Sequence, residues 1–376
     1  MRIAMVGQKG IPATSGGVER HVEELAKELT KMGHEVLVYA RAWYTPKSVK
    51  NYQGIRVIHT AGINSKHLDA ITHTFTATIN AIRQKPDVIH FHGVGPSLIS
   101  WLPRLLSPRI KVVATFHSMD RYQYKWGKIA KLFLSLGEKF ICLFPHSTIT
   151  VSRGLYHYCL NQYHKLTTYI PNGVPVWDNA KHADKLMPLH LTPQKYLLTV
   201  SRLIKGKGAH YLISAWKTIK AQNPTVLEGL KLVIVGEGEE KYLNELYAQA
   251  NGDRDIVFTG NRQGDELKAL FANTTLFIHP SENEGLPLAV LEAMSYDRPV
   301  LVSDIPGHQE IIHDSRFWFN TADVQSLANK ITELITQPNL LNSAGHTNRE
   351  IVGEHYSWKD IAEKTEKVYG SERNKD

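Results

Sequence analysis

The first half of the chain alternates short apolar runs with longer stretches whose apolar residues recur at helical spacing. The apolar runs are too continuous for strands with one face in water, so they indicate a parallel sheet covered on both faces. The stretches between them predict the helices that cover it. The predicted strands are Ile3–Val6, Val36–Ala40, Val57–His59, Val88–Phe91, Val112–Phe116 and Thr148–Val151, and the predicted helices are 18–32, 68–84, 97–106, 121–143 and 153–161.

The second half repeats this α/β alternation after a break. Residues 175–194 are polar and proline-bearing without periodicity, which is typical of an interdomain connection. A total of 376 residues suffices for two doubly wound, parallel-sheet domains of ordinary size. The predicted division is therefore a first domain at 1–174, a second at 195–354 and a closing segment at 355–376.

One segment of the second domain has the pattern of a strand, a loop and a helix. The apolar run Leu276–His279 precedes a polar loop, and Pro287 stands where a helix running to Ser295 would begin. Such a helix start attracts anions. Glu284 falls in the loop and Glu292 falls roughly 7 Å deeper along the helix. Carboxylates on either side of an anion site suit a ligand with hydroxyls at both ends and phosphates between, which describes a nucleotide sugar.

A long glycine-bearing turn follows the first predicted strand. It runs from Gly7 to Gly16 and Gly17 and opens a helix, so a phosphate or sugar could approach the backbone closely. The turn lacks the tight G-x-G-x-x-G form, which makes a dinucleotide site a weak interpretation.

Histidines stand at the ends of two predicted strands. His90 and His92 alternate, so both face one side of the sheet. A two-histidine metal pair is conceivable, but the sequence shows no third ligand, and packing or hydrogen bonding is the favoured role. His117 ends the next strand, where open parallel sheets bind ligands.

Net charge is +8, and the first half of the chain carries most of the excess. Residues 1–180 hold 22 Lys and Arg against 10 Asp and Glu, a balance of +12, whereas the remainder balances at −4. A basic half indicates an anionic partner. Because no nucleic-acid-binding module is recognisable, we expect an anionic membrane surface and no nucleic acid.

The segment 121–144 is the candidate membrane contact. It combines basic and apolar positions near helical spacing, which suits the headgroup region of a membrane. An ordinary crossover helix with a solvated face is the competing interpretation. The residues concerned are Lys125, Lys128, Lys131, Lys139, Trp126, Leu132, Phe133, Leu136 and Phe140.

Cysteine content and the first residues bear on the compartment. Two cysteines, Cys142 and Cys159, do not indicate a disulfide framework or a four-thiolate metal site. The opening MRIAMVG lacks a signal-peptide pattern, and Leu132–Phe144 is too short to span a bilayer. We therefore expect a cytoplasmic protein, peripheral on the inner face of the plasma membrane.

Several motifs resemble one enzyme family. Glu284 and Glu292 within EGLPLAVLEAM resemble the E-x7-E signature of the retaining GT-B glycosyltransferases of family 4. The turn at Gly7–Gly17 resembles the opening of family members that build bacterial surface polysaccharides. IPNGV at 170–174, the SRLxxxKG string beginning at Ser201 and the tail at 355–369 extend the resemblance over nearly the whole chain.

The resemblance implies a fold and a reaction. The family has two facing doubly wound domains, with the donor on the second, the acceptor mostly on the first, and a final helix that crosses back to the first domain. The implied reaction moves a sugar, with retention, from a UDP- or GDP-type donor to a saccharide or lipid-linked acceptor. No cofactor or metal is expected, because basic side chains and a helix dipole neutralise the diphosphate.

The resemblance also implies roles for single residues. Arg202 and Lys207 would hold the leaving diphosphate, Glu284 the sugar hydroxyls and Glu292 the ribose. Asn261 and Arg262 would border the base. The catalytic set is His117, Arg202, Lys207 and Glu284, and the donor-binding set is Gly16, Gly17, Asn261, Arg262, Gly285, Leu286, Leu288 and Glu292.

Two other functions remain open from the sequence. A GT-B sugar-nucleotide epimerase shares the fold and the phosphate site but needs carboxylate acid–base chemistry and no acceptor. A non-catalytic membrane-binding protein could keep the fold alone. The E-x7-E context argues against the first, and the intact Arg202, Lys207, Glu284 and Glu292 argue against the second.

Overall fold

The computed structural model describes residues 1–14, 16–63, 65, 68–122, 127–175 and 183–371. The chain forms two compact units, Met1–Gly173 with Trp358–Asp376, and Val174–Ser357. Residues 176–182 of the predicted interdomain connection lie outside the described residues.

The first unit is built on an eight-stranded sheet with the order β3-β4-β2-β1-β5-β6-β7-β8, parallel except for the β3–β4 pair. The strands are β1 (Arg2–Val6), β2 (Glu35–Ala40), β3 (Asn51–Tyr52), β4 (Ile55–His59), β5 (Val88–His92), β6 (Lys111–Phe116), β7 (Ser147–Thr150) and β8 (Thr168–Tyr169). The helices up to β8 are α1 (Gly17–Lys31), α2 (Asp69–Arg83), α3 (Val94–Ser97), α4 (Trp101–Leu106), α5 (Lys128–Leu143) and α6 (Arg153–Tyr163), with a 3-10 turn at Asp120–Tyr122.

The second unit is built on a six-stranded parallel sheet with the order β11-β10-β9-β12-β13-β14. Its strands are β9 (Tyr196–Val200), β10 (Lys231–Val235), β11 (Ile256–Gly260), β12 (Leu276–His279), β13 (Val300–Ser303) and β14 (Trp318–Phe319). Its helices are α7 (Ala209–Gln222), α8 (Glu240–Ala250), α9 (Gly264–Ala272), α10 (Leu288–Ser295), α11 (Pro306–Gln309), α12 (Val324–Ile335) and α13 (Pro338–His355), with 3-10 turns at Ala183–Leu189, Lys205–Lys207, Pro224–Leu227 and Ser315–Phe317. Two doubly wound sheets of this kind confirm the predicted GT-B fold class.

The last helix, α14 (Trp358–Gly370), completes the first unit by packing against α1. Ile361 and Tyr369 lie in the same buried cluster as Val22 and Leu25 of α1. The ammonium of Lys111 donates to the Val368 carbonyl at 2.5 Å, which places a cation at the carboxyl end of α14. The prediction that the closing helix returns to the first domain is therefore confirmed.

The helix predicted at 97–106 is divided into α3 and α4. Leu98 to Ser100 form a turn between them, and the amide of Ser100 donates to the Ser97 carbonyl. Pro103 lies in the first turn of α4, where a missing amide hydrogen costs nothing, whereas one long helix would place this proline in its interior.

The helix predicted at 121–143 begins later, at Lys128. Lys125, Trp126 and the side chain of Lys128 lie outside the described part of the chain. Among the described residues, none of the helices combines the length and the apolar character that a bilayer-spanning segment requires.

Candidate active site

The topology of the second sheet places one loop beside another. β9 pairs with β12 at its centre, and the chain order of the strands reverses between these two. Such a reversal opens a crevice at the carboxyl ends of the strands, where open α/β sheets bind ligands. The turn carrying Arg202 and Lys207 follows β9, and the loop carrying Glu284 follows β12.

Backbone contacts hold these two loops together. Glu282 donates its amide to the Gly206 carbonyl at 2.9 Å. Gly208 adopts a positive φ of 74°, and a β-carbon there would lie 2.0 Å from the carbonyl oxygen of Pro280. A residue with a side chain would push the Lys207 turn away from the β12 loop, so this approach requires glycine.

Three side chains converge on one oxygen of Glu284. Lys207 forms an ion pair with Oε1. His279 Nε2 lies 2.9 Å from the same oxygen, and the Ser281 hydroxyl donates to it at 2.6 Å. The hydrogen bonds to Glu284 from the described residues all reach Oε1, so Oε2 is the oxygen that remains for an incoming hydroxyl.

The environment keeps Glu284 ionised. Burial by itself would raise the pKa of this carboxyl, but the charge of Lys207 and the hydrogen bond from His279 outweigh it and hold the pKa well below its usual value. A carboxylate that stays charged accepts hydrogen bonds strongly and does not act as a proton donor near neutral pH.

A second layer supports the Glu284 loop from β13 and α11. The Ser303 hydroxyl donates to the Ser281 carbonyl and also lies 3.0 Å from His308 Nδ1. A β-carbon at Gly307 would lie 2.6 Å from the Glu284 carbonyl oxygen and 2.7 Å from that of Gly285. Glycine at 307 therefore lets α11 rest directly on the backbone of the candidate site.

The other predicted donor-binding residues lie at the same edge of the sheet. Arg202 is exposed directly after β9, and Asn261 and Arg262 follow the carboxyl end of β11. Leu288 is the first residue of α10, so its backbone amide is among those of the first turn that have no acceptor within the helix. Glu292 lies half-buried in α10, and Gly285 and Leu286 are buried in the loop before it.

Asp253 and Asp255 lie at the opposite edge of the second sheet from the candidate site. Each pairs with Lys220 at 2.8 Å, and both precede β11 at the amino end of the strand.

The first sheet has its own reversal, between β1 and β5. The turn at Gly7–Gly17 follows β1, and Gly16 and Gly17 stand at the start of α1. His92 ends β5, and His117 follows β6. The predicted residues of the first domain therefore lie at the carboxyl edge of its sheet.

His117 belongs to a buried cluster that sequence analysis did not find. Its Nε2 lies 3.4 Å from His92 Nδ1, and its ring centroid lies 4.7 Å from that of His21 on α1. His21 Nδ1 bonds Asn172 Oδ1 at 2.9 Å. His90 points to the same side as His92, as predicted, but both of its nitrogens are bonded, to Tyr369 and Thr115 at 2.7 Å each.

Burial keeps these imidazoles neutral. It lowers the pKa of His21 to about 4, although the hydrogen bond with Asn172 acts in the opposite direction. Burial, reinforced by the neighbouring imidazoles, also holds the pKa of His90, His92 and His117 well below the usual value.

Sequence analysis missed His21, His279, Ser281 and His308. His279 is the last residue of an apolar run, which is the same signal that singled out His117. His21 gives no comparable signal, because a histidine in an amphipathic helix is equally common on a solvated face. Its role depends on which way α1 faces.

Comparison with known proteins identifies the family. A family model described as Glycosyltransferase Family 4 matches residues 15–177, and one described as Glycosyl transferases group 1 matches residues 187–351. The chain belongs to glycosyltransferase family 4. It is accordingly a retaining GT-B glycosyltransferase that uses a nucleotide-sugar donor.

Individual proteins similar to this glycosyltransferase are diverse. An uncharacterized glycosyltransferase of Methanocaldococcus jannaschii is 28% identical, with 98% of each chain covered. The capsular polysaccharide biosynthesis glycosyltransferase CapM of Staphylococcus aureus is 24% identical over 77% of this chain and 78% of its own. The structure of Anabaena HepE in complex with UDP and glucose superposes with a TM-score of 0.80 at 20% identity, covering 99% of this chain and all of HepE.

We predict that Gly307→Ala lowers kcat of this glycosyltransferase by about 10²-fold, the cost of misplacing a catalytic group by about 1 Å. The added methyl group would push the backbone of Glu284 and Gly285 away from α11. Donor turnover measures the effect. Gly353→Ala is the matched control, because a β-carbon there meets no atom within 4 Å. Equal activity of both variants would contradict the proposed support.

The buried histidines predict acid sensitivity of the first unit. The pKa values of these histidines are lower in the folded protein than in the unfolded chain. The free energy of unfolding is therefore highest above pH 6.5, where the imidazoles are neutral in both states. It declines as the pH falls toward the pKa of the folded state, which is about 4 for His21. Each such histidine contributes a slope of up to about 1.4 kcal/mol per pH unit.

Urea unfolding in EDTA at pH values from neutral to mildly acidic measures this slope. His21→Gln removes one titrating group and should make the slope shallower. An unchanged slope in that variant would show that His21 is not held neutral by the fold.

Proposed function

We propose that this glycosyltransferase moves a sugar from a UDP-type donor to a saccharide or lipid-linked saccharide acceptor in surface polysaccharide synthesis, at an anionic membrane surface. The assignment of the donor site rests on one observation. Lys207 and Glu284 form an ion pair beside β9 and β12, where the strand order of the second sheet reverses. The similarity to HepE, whose structure contains UDP, supports uracil as the base of the donor. The similarity to CapM supports a role in surface polysaccharide synthesis.

Lys207 serves two purposes in this proposal. Before donor binds, it neutralises Glu284, whose side chain is 11% exposed. Once a diphosphate arrives, the ammonium lies between the carboxylate and the phosphate oxygens and can bond both, because it has three donors. Arg202, exposed on the same turn, adds a planar fork suited to a phosphate.

In this proposal, the rate enhancement comes from stabilisation of the leaving diphosphate. As the glycosidic bond breaks, negative charge grows on the diphosphate, and prepositioned cations together with the amino end of α10 stabilise it. Glu284, held ionised, accepts sugar hydroxyls through Oε2, while Glu292 accepts those of the ribose. His117 contacts the donor, and Asn261 and Arg262 border the base.

The proposed action at a membrane, where a lipid-linked acceptor would be found, rests on the exposed face of α5. Its inner face packs on α3, since a β-carbon at Gly137 would lie 2.6 Å from the Val94 carbonyl oxygen, and Glu138 on that face pairs with Arg121. Its outer face exposes Leu132, Phe133 and Leu136 at 62%, 53% and 40%.

These apolar side chains recur at helical spacing, with the exposed Lys131 and Lys139 beside them. A solvated crossover helix would expose polar residues instead, whereas a helix lying in a membrane interface exposes this combination.

Arg202→Ala should lower kcat for donor hydrolysis and for transfer by about 10²-fold or more, because a charge partner of the transition state is lost. Lys205→Ala is the matched control, since Lys205 is exposed on the same turn and pairs with Glu245 instead. Release of nucleoside diphosphate from UDP- and GDP-sugars measures the rate. EDTA should not lower it, because the diphosphate is neutralised by side chains. Equal rates in the two variants would remove Arg202 from the donor site.

Reversing the charge of Lys131 and Lys139 together should weaken binding to anionic vesicles at least about tenfold, since each basic residue near such a surface contributes about 1 kcal/mol. Cosedimentation at low and high salt measures the binding. Lys47→Glu with Lys50→Glu, which makes the same charge change on exposed residues elsewhere in the unit, should leave most of the binding intact. Equal recovery of the wild-type protein in the supernatant with neutral and anionic vesicles would contradict membrane attachment.

A further inference from the structure

The buried cluster on the first unit holds three histidines around one point. One ring nitrogen each of His21, His92 and His117 lies within 4.8 Å of the other two. The three side chains come from α1, the end of β5 and the residue after β6, so the sheet reversal and not a local motif brings them together.

Within the described part of the chain, His21 and His92 each have a ring nitrogen without a partner, which in His92 is the one that does not contact His117. His21 Nε2 and His92 Nε2 are buried and have no hydrogen-bond partner among the described residues. The residues themselves are 4% and 1% exposed. Leaving buried polar atoms unpaired costs free energy, so the native protein should retain such atoms only where something else compensates.

We propose that His21, His92 and His117 form a binding site for a divalent transition-metal ion of the Zn²⁺ type, and that occupation of this site inhibits the enzyme. Imidazole is a preferred ligand of such ions. Zn–N bonds of about 2.0–2.1 Å in a tetrahedral site place ligand nitrogens about 3.3 Å apart. His92 Nδ1 and His117 Nε2 are already near that separation at 3.4 Å, and one ring nitrogen of each of the three histidines lies within 4.8 Å of the other two.

The orientation of His21 supports the assignment. Its Nδ1–H donates to Asn172 Oδ1, so the lone pair is on Nε2, which is buried and has no partner among the described residues. Metal-binding histidines are held in this manner by a carbonyl or carboxylate behind the ring.

Three protein ligands leave the fourth tetrahedral position for water or another oxygen ligand. His117 is the most accessible of the three, at 9% exposed, so the ion would enter beside it. The inhibitory consequence rests on the proposed role of His117 in donor contact, because a metal-bound Nε2 is no longer available to a substrate. The metal site itself does not rest on that role.

Direct binding tests the site without reference to activity. The metal-free full-length chain is titrated with Zn²⁺ against a chromogenic chelator, and one tight equivalent is expected. His21→Gln and His92→Gln should each weaken that equivalent by at least about tenfold. His90→Gln is the matched control, because His90 is buried on the same strand but has both nitrogens bonded. Thermal melts verify that each variant is folded.

Co²⁺ bound to the wild-type chain provides a second test that needs no variant. A tetrahedral site gives intense visible absorption, whereas octahedral binding at surface histidines gives weak absorption. An octahedral spectrum, or a tight Zn²⁺ equivalent that both His21→Gln and His92→Gln retain, would overturn the site.

Donor hydrolysis tests the inhibitory consequence separately. Zn²⁺ should lower the wild-type rate and EDTA should restore it, while His92→Gln should resist Zn²⁺ relative to its own metal-free rate. Tight tetrahedral binding with an unchanged hydrolysis rate would overturn the inhibition and the donor-contact role of His117, but would leave the site standing.

Discussion

The candidate donor site depends on close backbone packing around Glu284. Gly208 rests on the Pro280 carbonyl and Gly307 on the carbonyls of Glu284 and Gly285, so three separate turns meet with no side chain between them. This packing brings Lys207, His279 and Ser281 onto a single carboxylate oxygen. The resulting charge balance keeps a poorly solvated carboxylate ionised, which burial alone would oppose.

Both units have a central reversal of strand order, but the side chains gathered there differ in chemistry. Each sheet reverses its strand order at its centre, between β1 and β5 in the first and between β9 and β12 in the second, and each central reversal gathers polar side chains at the carboxyl edge. In the second unit the gathered groups are charged and compensate one another. In the first unit they are neutral imidazoles, kept so by burial and by one another. The charged cluster of the second unit suits anions and hydroxyls. The histidine cluster of the first unit suits a ligand that accepts a lone pair, such as a metal ion.

The exposed apolar face of α5 is the main departure from an ordinary crossover helix. Glu138, on the inner face of α5, is fully buried and accepts a hydrogen bond from Tyr158 at 2.8 Å, while Leu132 and Phe133 face outward. The inner face of α5 also buries Ile141 and Cys142, so the unusual feature is the exposure of large apolar side chains on its outer face, which water alone does not favour. This exposed face is the surface for which we propose contact with a membrane.

Sequence alone determined the fold class, the family and most strand and helix positions, because hydrophobic periodicity and the motifs around Glu284 and Arg202 are local signals. The tertiary structure decided which distant residues meet. His21 lies far along the chain from His92 and His117, and nothing in helix periodicity reveals that it turns toward them. His279 and Gly307 likewise gain their roles from the pairing of β9, β12 and β13, since the order of strands in a sheet depends on long-range contacts that no single segment encodes.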